Sequence, residues 1–404
     1  MRSPHLHAAI LVLFMAMRAY SDTGVPTVFE LDPANLARSK EKIAANDPAF
    51  MPAYQKLIKE ADAVLSKKPA SVMDKTAVPP SGDKHDYMSL APYYWPDPAK
   101  PDGLPYLRKD GERNPEVRDD RISDAPRFER LQHEVETLSI AYYFSGQEKY
   151  AEKAAALLRV WFLDSATAMN PNFEYAQAVK GDNGGRHFGL IEARDFVELV
   201  DSFGLLSLSK SWKPEDDKAM RAWTARYFQW LSDSKDGQDE RNAPNNHGTY
   251  ANAQYAALAL YLGKTDAAKA TLEAGKARIA SQIEPDGKQP KELARTKSLS
   301  YSTFNVEALF ELASLGRGAG VDLFHYETSD GRSLRKALDF LRLYADPAHK
   351  WPYQQIEPFD TMAFLPLLRQ AELVYHDKSY EKTIALLPPE KTAADRSILL
   401  YPPE

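Results

Sequence analysis

Apolar residues recur along this chain at the three- and four-residue steps of an α-helix. Leu131, Val135, Leu138 and Ala141 line one helix face, and Ala151, Ala154, Leu158 and Trp161 line another. Comparable amphipathic stretches cover about 35–66, 188–208, 214–233, 247–262, 264–281, 303–315, 332–345 and 360–376. Strand-like alternation is scarce. A weak local pattern appears in Tyr142 to Ala151, in Leu260 to Ala268 and, more loosely, in Val374 to Tyr380. Each reads as a helix end, a tight Gly or Asp turn and a new helix, which is an αα-hairpin. The copies lack the fixed period of roughly 34 residues that marks tetratricopeptide arrays. The pattern therefore predicts an all-α protein, an incomplete (α/α) barrel or toroid of helical hairpins.

One region departs from this pattern. Residues 69–125 are rich in proline and include His85-Asp86-Tyr87 and Ala91-Pro92-Tyr93-Tyr94-Trp95-Pro96-Asp97-Pro98. A loop of that length inside a domain is usually functional or disordered, and its aromatic content argues for order, because disordered segments are poor in aromatics. It is expected to lie over the helical scaffold. No Gly/Ser-rich linker interrupts the chain, so residues 22–404 are read as one domain. Ahead of it, the apolar run Ala8 to Met17 between Arg2 and Arg18-Ala19-Tyr20-Ser21 has the outline of a signal peptide. The run is shorter than the ~20 residues that span a bilayer. The expectation is an exported protein, periplasmic or extracellular, with residues 1–21 removed.

Composition narrows the chemistry. The 404 residues include no cysteine, which excludes disulfides, thiol catalysis and thiolate metal ligands. A formal charge of -6 is a poor match for nucleic acid, yet an acidic protein still holds a polyanion when its cations converge in one cleft. No membrane partner and no cofactor are indicated. A monomer is expected.

Two polar clusters stand out. Glu240-Arg241-Asn242-Ala243-Pro244-Asn245-Asn246-His247-Gly248 precedes the apolar segment Ala251 to Leu262, and so sits at a helix N-terminus, where Asn245 or Asn246 could serve simply as the cap. The second cluster runs from Lys291 to Ser302, with Arg295 and Tyr301 six residues apart, a spacing that suits a loop entering a helix. Alone, these are a surface arginine and a core tyrosine. Together, the amide, imidazole, guanidinium and phenol meet the demand of elimination beside a uronate carboxylate. The C5 proton is weakly acidic, so donors must hold the developing enolate charge, while a base takes that proton and an acid protonates the departing O4.

Asn245-Asn246-His247-Gly248 with the later Arg295 and Tyr301 resembles the alginate lyase superfamily of α/α toroid fold. Tyr87 to Pro98, Trp161 to Asp164, Met169 to Asn172, Tyr175-Ala176-Gln177 and Gly185-Arg186 resemble the same group, closest to polysaccharide lyase family 38 and less so to family 5. The resemblance implies that Asn246 and Arg295 neutralise the substrate carboxylate. It implies that His247 assists or serves as base, and that Tyr301 is the acid and also a candidate base. Glu240 would orient His247 or touch substrate. Asn245, Gln177, Tyr175, Arg186 and His85 are candidate substrate contacts, with Tyr93, Tyr94, Trp95 and Trp351 as sugar platforms, although such aromatics also serve as core. His187, beside Arg186, is a further cleft candidate.

The implied reaction is β-elimination on a β-1,4-linked uronate polymer, polymannuronate favoured and glucuronan the alternative. Two other readings stay open. A glycoside hydrolase on an α/α barrel would need two carboxyl groups roughly 5 to 10 Å apart, and a noncatalytic glycan-binding protein would have no use for Tyr301. A metal hydrolase is disfavoured, since the nine histidines are scattered and none forms His-Glu-x-x-His.

Overall fold

The computed structural model describes residues 24–182 and 184–403; the expected signal peptide lies outside the described residues. The longer helices are α1 (Pro33–Ala44), α2 (Met51–Leu65), α3 (Ala125–Ser145), α4 (Glu148–Leu158), α5 (Phe196–Leu206), α6 (Pro214–Asp233), α7 (Lys235–Asn242), α8 (Asn246–Tyr261), α9 (Thr265–Gln282), α10 (Ser298–Ala319), α11 (Leu334–Arg342) and α12 (Phe364–Tyr375). Among the described residues there are also several shorter helical and 3-10 segments, and four short strands: β1 (Met88–Leu90), β2 (Tyr94–Trp95), β3 (Leu107–Arg108) and β4 (Tyr175–Ala178).

The helices fall into two layers, and their sequences say which is which. Along α5 every residue except Glu198 is buried, and α8 and α10 are buried on most of their circumference. By contrast α9 buries one stripe, Ala268, Leu272, Gly275, Ile279 and Gln282, at alternating steps of four and three. A helix apolar all round belongs inside, and a single stripe marks an outer helix. The inner helices α3, α5, α8, α10 and α12 pack in that order, each against the next, while α4, α9 and α11 cover them from outside. The predicted hairpins are present. Gly146 and Gly263 take positive φ at the turns from α3 to α4 and from α8 to α9, where a side chain would be strained.

The expected single amphipathic stretch at 35–66 is two helices, broken at Asn46, which adopts φ 55°. Helix α7 was not anticipated, because Lys-Asp-Gly-Gln-Asp-Glu-Arg-Asn carries no apolar stripe. It is started by Ser234, whose hydroxyl accepts from the Gly237 N–H at 3.0 Å, and it buries Glu240.

The long loop is ordered. Its two ends are joined by a buried ion pair, Lys75 Nζ to Asp124 Oδ2 at 2.9 Å, and Lys75 also donates to the carbonyls of Val72 and Lys84. Asp124 Oδ2 accepts from the Met88 N–H as well. Between the ends, β1 pairs in parallel with β4, and β2 pairs antiparallel with β3. The loop is thereby laid across one mouth of the helical ring. No helix among the described residues is long and apolar enough to cross a membrane.

Candidate active site

Under that loop lies a cleft of about 600 Å³, lined by Tyr93 and Tyr94 of the loop, Gln177 and Arg186, the 3-10 helix His187–Ala193, Asn245, Asn246 and His247 at the start of α8, and Arg295, Ser300 and Tyr301 at the start of α10. Its size suits a small-molecule or oligosaccharide ligand. Six cationic side chains line it, Arg108, Arg113, Arg186, Arg194, Arg295 and Lys297, against one carboxylate, Glu192. The cations of an acidic protein thus converge where a polyanion would enter. Among the described residues no group of three or more His, Asp or Glu side chains is placed to hold a metal ion.

Helix α8 begins at Asn246, with Asn245 as its extended N-cap; the Asn245 side chain makes no capping bond. Close packing sets the position of this helix end, since a Cβ on Gly248 would fall 2.0 Å from the Ala243 carbonyl oxygen. Asn246 is almost fully buried and is clamped by Glu292, which accepts from its backbone N–H at 2.9 Å and from Nδ2 at 2.6 Å. The second hydrogen of Nδ2 remains for a ligand. Its Oδ1 is buried without a hydrogen-bond partner. Burial raises the Glu292 carboxyl above its ordinary value, against the lowering effect of its bonds to Asn246.

His247 is held by Glu240. The carboxylate is wholly buried; Oε1 accepts from His247 Nδ1 at 2.6 Å and Oε2 from His187 Nδ1 at 2.8 Å. Burial alone would raise Glu240, but the two imidazoles hold it below the usual carboxylate value. A carboxylate can only accept, so each Nδ1 is the donor, and in a neutral ring Nε2 then carries the lone pair. Glu240 does not line the cleft. It meets the cleft through His247, which does line it.

Arg295 sits between the short helix Pro290–Leu293 and α10, in the expected loop entering a helix. Its Nε and Nη2 donate to Asp110 at 3.1 and 2.7 Å, and Asp110 also accepts from the Thr296 N–H. Against the effect of burial, these bonds and the Arg295 charge hold the Asp110 carboxyl at about 2. Nη1 makes none of these bonds. The contact is close enough to require Gly111, at φ +77°, where a Cβ would fall 2.3 Å from Thr296 Oγ1.

The same guanidinium lies over the Tyr301 ring, 3.7 Å from its centroid, and the Tyr301 hydroxyl hydrogen-bonds Tyr93 at 2.7 Å. Burial raises the Tyr301 phenol, the neighbouring Tyr93 adds to this, and Arg295 opposes it. The phenol therefore keeps its proton at neutral pH.

Among the remaining candidates, Arg186 donates to Tyr94 at 2.9 Å and to the Gln177 carbonyl at 3.1 Å, so these three form one wall. Four others stand elsewhere. His85 bonds the Ala168 carbonyl through Nδ1 at 2.7 Å. Trp95 donates its indole N–H to the Glu112 carbonyl. Tyr175 belongs to β4 outside the cleft lining. Trp351, expected as a sugar platform, packs on Tyr344 and Tyr353 and donates to Ser298 Oγ at 2.8 Å, strapping the start of α10. Its aromatic surface is spent on the protein. Residues the sequence reading did not single out are Asp110, Glu292 and Glu192. Of these, Glu292 had a local signal, three residues before Arg295 in the same polar cluster.

Comparisons with known proteins show the family. The family model described as alginate lyase matches residues 71–351. A crystal structure of an alginate lyase from Bacteroides ovatus is 42% identical, covering 94% of this chain and 100% of its own, with a TM-score of 0.89. The alginate lyase A1-III from Sphingomonas species A1 is 15% identical, with a TM-score of 0.51 over 88% of this chain and 96% of its own, and shares the fold. A variant of A1-III complexed with a tetrasaccharide is similar at 16% identity and the same TM-score, over 89% of this chain and 97% of its own. No curated protein sequence matches. With the family model matched over most of its length and a 42% identical relative over nearly all of it, the chain belongs to the alginate lyase family and is a polysaccharide lyase.

Proposed function

We propose that this lyase cleaves β-1,4-linked uronate chains with a preference for polymannuronate, His247 acting as the base and Tyr301 as the acid. The observation that carries the reading is the meeting of Asn246, His247, Arg295 and Tyr301 at one cationic cleft although they come from two helix starts far apart in sequence. Substrate carboxylate would take one hydrogen bond from Arg295 Nη1 and one from the second hydrogen of Asn246 Nδ2. These donors offset the charge that builds on the carboxylate as C5 loses its proton.

His247 Nε2 takes the C5 proton. The C5–H electron pair becomes the C4=C5 double bond, the C4–O4 bond breaks, and O4 receives the Tyr301 hydroxyl proton. The imidazolium so formed is stabilised by Glu240, and it returns its proton through solvent to the tyrosinate. A phenol that keeps its proton supports the acid role of Tyr301 over the base role. Glu240 at His247 Nδ1 supports the base role of the opposite nitrogen.

Mannuronate and glucuronate share configuration at C4 and C5 and differ at C2, so one arrangement of base and acid serves both. Guluronate, inverted at C5, turns its proton to the other face. The relative from Bacteroides ovatus, an alginate lyase by name, supports alginate over glucuronan. We also propose that the protein is exported, on the apolar run at 8–17. The test of substrate is to incubate the protein with polymannuronate, polyguluronate and glucuronan and follow the ultraviolet absorbance of the new double bond. Polymannuronate should react fastest; a faster rate on polyguluronate would refute the preference.

A further inference from the structure

Glu192 is the one carboxylate among the described residues that line the cleft, and the proposed chemistry gives it no task. It is expensive in that position. It lies beside a site for a polyanion, where a negative charge repels the ligand, and burial pushes its carboxyl up to about 7. Yet the protein builds a support for it. Oε2 accepts from the Tyr87 hydroxyl and from Ser89 Oγ, both at 2.7 Å, and Tyr87 is wholly buried. Ser89 Oγ in turn accepts from the Gln177 N–H at 2.7 Å, and Gln177 is tied to Arg186. Both hydroxyls bind the same oxygen, and the Gln177 side chain is a third hydrogen-bond partner of the carboxylate, so of its roughly four acceptor positions one remains for a ligand.

The other polar groups on the lining are chiefly donors. Arg, Lys and the Asn246 amide hydrogen suit the carboxylate of a uronate, but a uronate ring also presents hydroxyl hydrogens, which need acceptors. An anchored carboxylate is the strongest acceptor a side chain offers a hydroxyl.

We propose that Glu192 reads the sugar: its Oε1 accepts a hydrogen bond from the C2 or C3 hydroxyl of the uronate in the cleft and so fixes the ring against the reacting groups. This rests on the lyase reading of the cleft given above. It assigns a specificity-determining role to a residue fixed from the loop by Tyr87 and Ser89, so the loop sets the sugar's register as well as covering it.

The test is Glu192→Gln, assayed above the raised carboxyl value, at a pH of about 8.5 where Glu192 is ionised, for initial rates of double-bond formation on polymannuronate and glucuronan. With the amide oxygen held by Tyr87 and Ser89, the amide nitrogen takes the place of Oε1 and turns an acceptor into a donor. The substitution also removes a negative charge, so the two accounts predict opposite signs. If Glu192 reads a hydroxyl, kcat/KM falls about 10- to 100-fold, the loss expected for a hydrogen bond to a charged group. An equal loss on both polymers assigns the C3 hydroxyl, and a loss on one polymer assigns C2, where the two differ. If Glu192 only contributes charge, KM falls, and an unchanged or improved kcat/KM overturns the proposal.

Ser89→Ala, which keeps the carboxylate and removes one of its anchors, should lower kcat/KM as well, by a smaller factor. An unchanged kcat/KM in that variant would also count against the proposal. Melting temperatures of both variants separate loss of aim from loss of fold. Failure of the wild-type protein to form unsaturated product on any uronate polymer would instead overturn the lyase reading, and is distinguished by being seen before any substitution.

Discussion

Glu240→Gln tests how the base is made. The wild-type carboxylate is wholly buried and accepts from two imidazoles at once, at 2.6 Å from His247 and 2.8 Å from His187. Glutamine has nearly the same shape but one acceptor. Whichever histidine faces the new NH₂ must present a bare Nδ1, and then carries its proton on Nε2. For stability, one charge-assisted hydrogen bond is lost, about 1.5 to 3 kcal/mol, which in a chain of this size lowers the melting temperature by a few degrees. For activity the consequence is larger. If His247 takes the wrong tautomer it has no lone pair for the C5 proton, and general-base catalysis, worth about 10²- to 10⁴-fold, is lost. If His187 faces the NH₂ instead, the negative charge that stabilises the His247 imidazolium is still gone, so kcat falls in either orientation. The sign with pH follows from the lowered carboxyl of Glu240. Its contribution to stability is complete above the ordinary carboxylate range, is lost as pH falls through the lowered value, and is missing throughout in the variant. The assay is kcat from the absorbance of unsaturated product, alongside thermal melting. A variant that melts a few degrees lower but keeps wild-type kcat would refute the orienting role and leave Glu240 as a structural group only.

Three further outcomes are expected. Asp110→Asn removes the charged partner of Arg295; with the carboxyl held at about 2 against an ordinary 3.8, its contacts with Arg295, the Thr296 N–H and Arg108 together contribute about 2 kcal/mol. That contribution is present above pH ~4 and is lost as pH falls toward 2, so denaturant melts of wild type and variant should converge across that window, and a constant difference would refute the assignment. Lys75→Met leaves the buried Asp124 with only the longer Arg127 contact at 3.4 Å and the Met88 N–H, and should destabilise by up to about 3 kcal/mol, read as a lower denaturation midpoint with early proteolysis within 69–125; an unchanged midpoint would show that the ion pair does not hold the loop. Gly111→Ala drives a Cβ into Thr296 Oγ1 at a positive φ, so it should lift the Asp110 contact and raise KM without unfolding the helical ring; a wild-type KM would contradict this.

Much of the fold was legible because helix burial is periodic. The stripes at 214–233 and 264–281 reappear as α6 and α9 within a residue or two. Helix α7 escaped, since its purpose is to bury a single carboxylate and no apolar period announces that. The clusters around Asn246 and Arg295 were legible because amides, imidazole, guanidinium and phenol gathered at helix starts are unusual. What supports them was not. Asp110 meets Arg295 across 185 residues of sequence, and a lone aspartate in a charged loop looks the same whether it is solvated or paired. Glu192 is recognised only when Tyr87 and Ser89 are seen to converge on it, one from a strand of the loop and one just before it. Trp351 erred the other way. Aromatic side chains serve sugars and cores alike, and only its contacts with Tyr344, Tyr353 and Ser298 decide the matter.

The central claim is elimination with Tyr301 as the acid, and one count tests it. During digestion of polymannuronate, new reducing ends and new C4=C5 double bonds are measured in the same samples, for the wild type and for Tyr301→Phe. The account predicts one double bond for each new reducing end in the wild type, and a rate lower by at least about 10²-fold in the variant. Reducing ends without matching double bonds, or a Tyr301→Phe variant as fast as wild type, would contradict it.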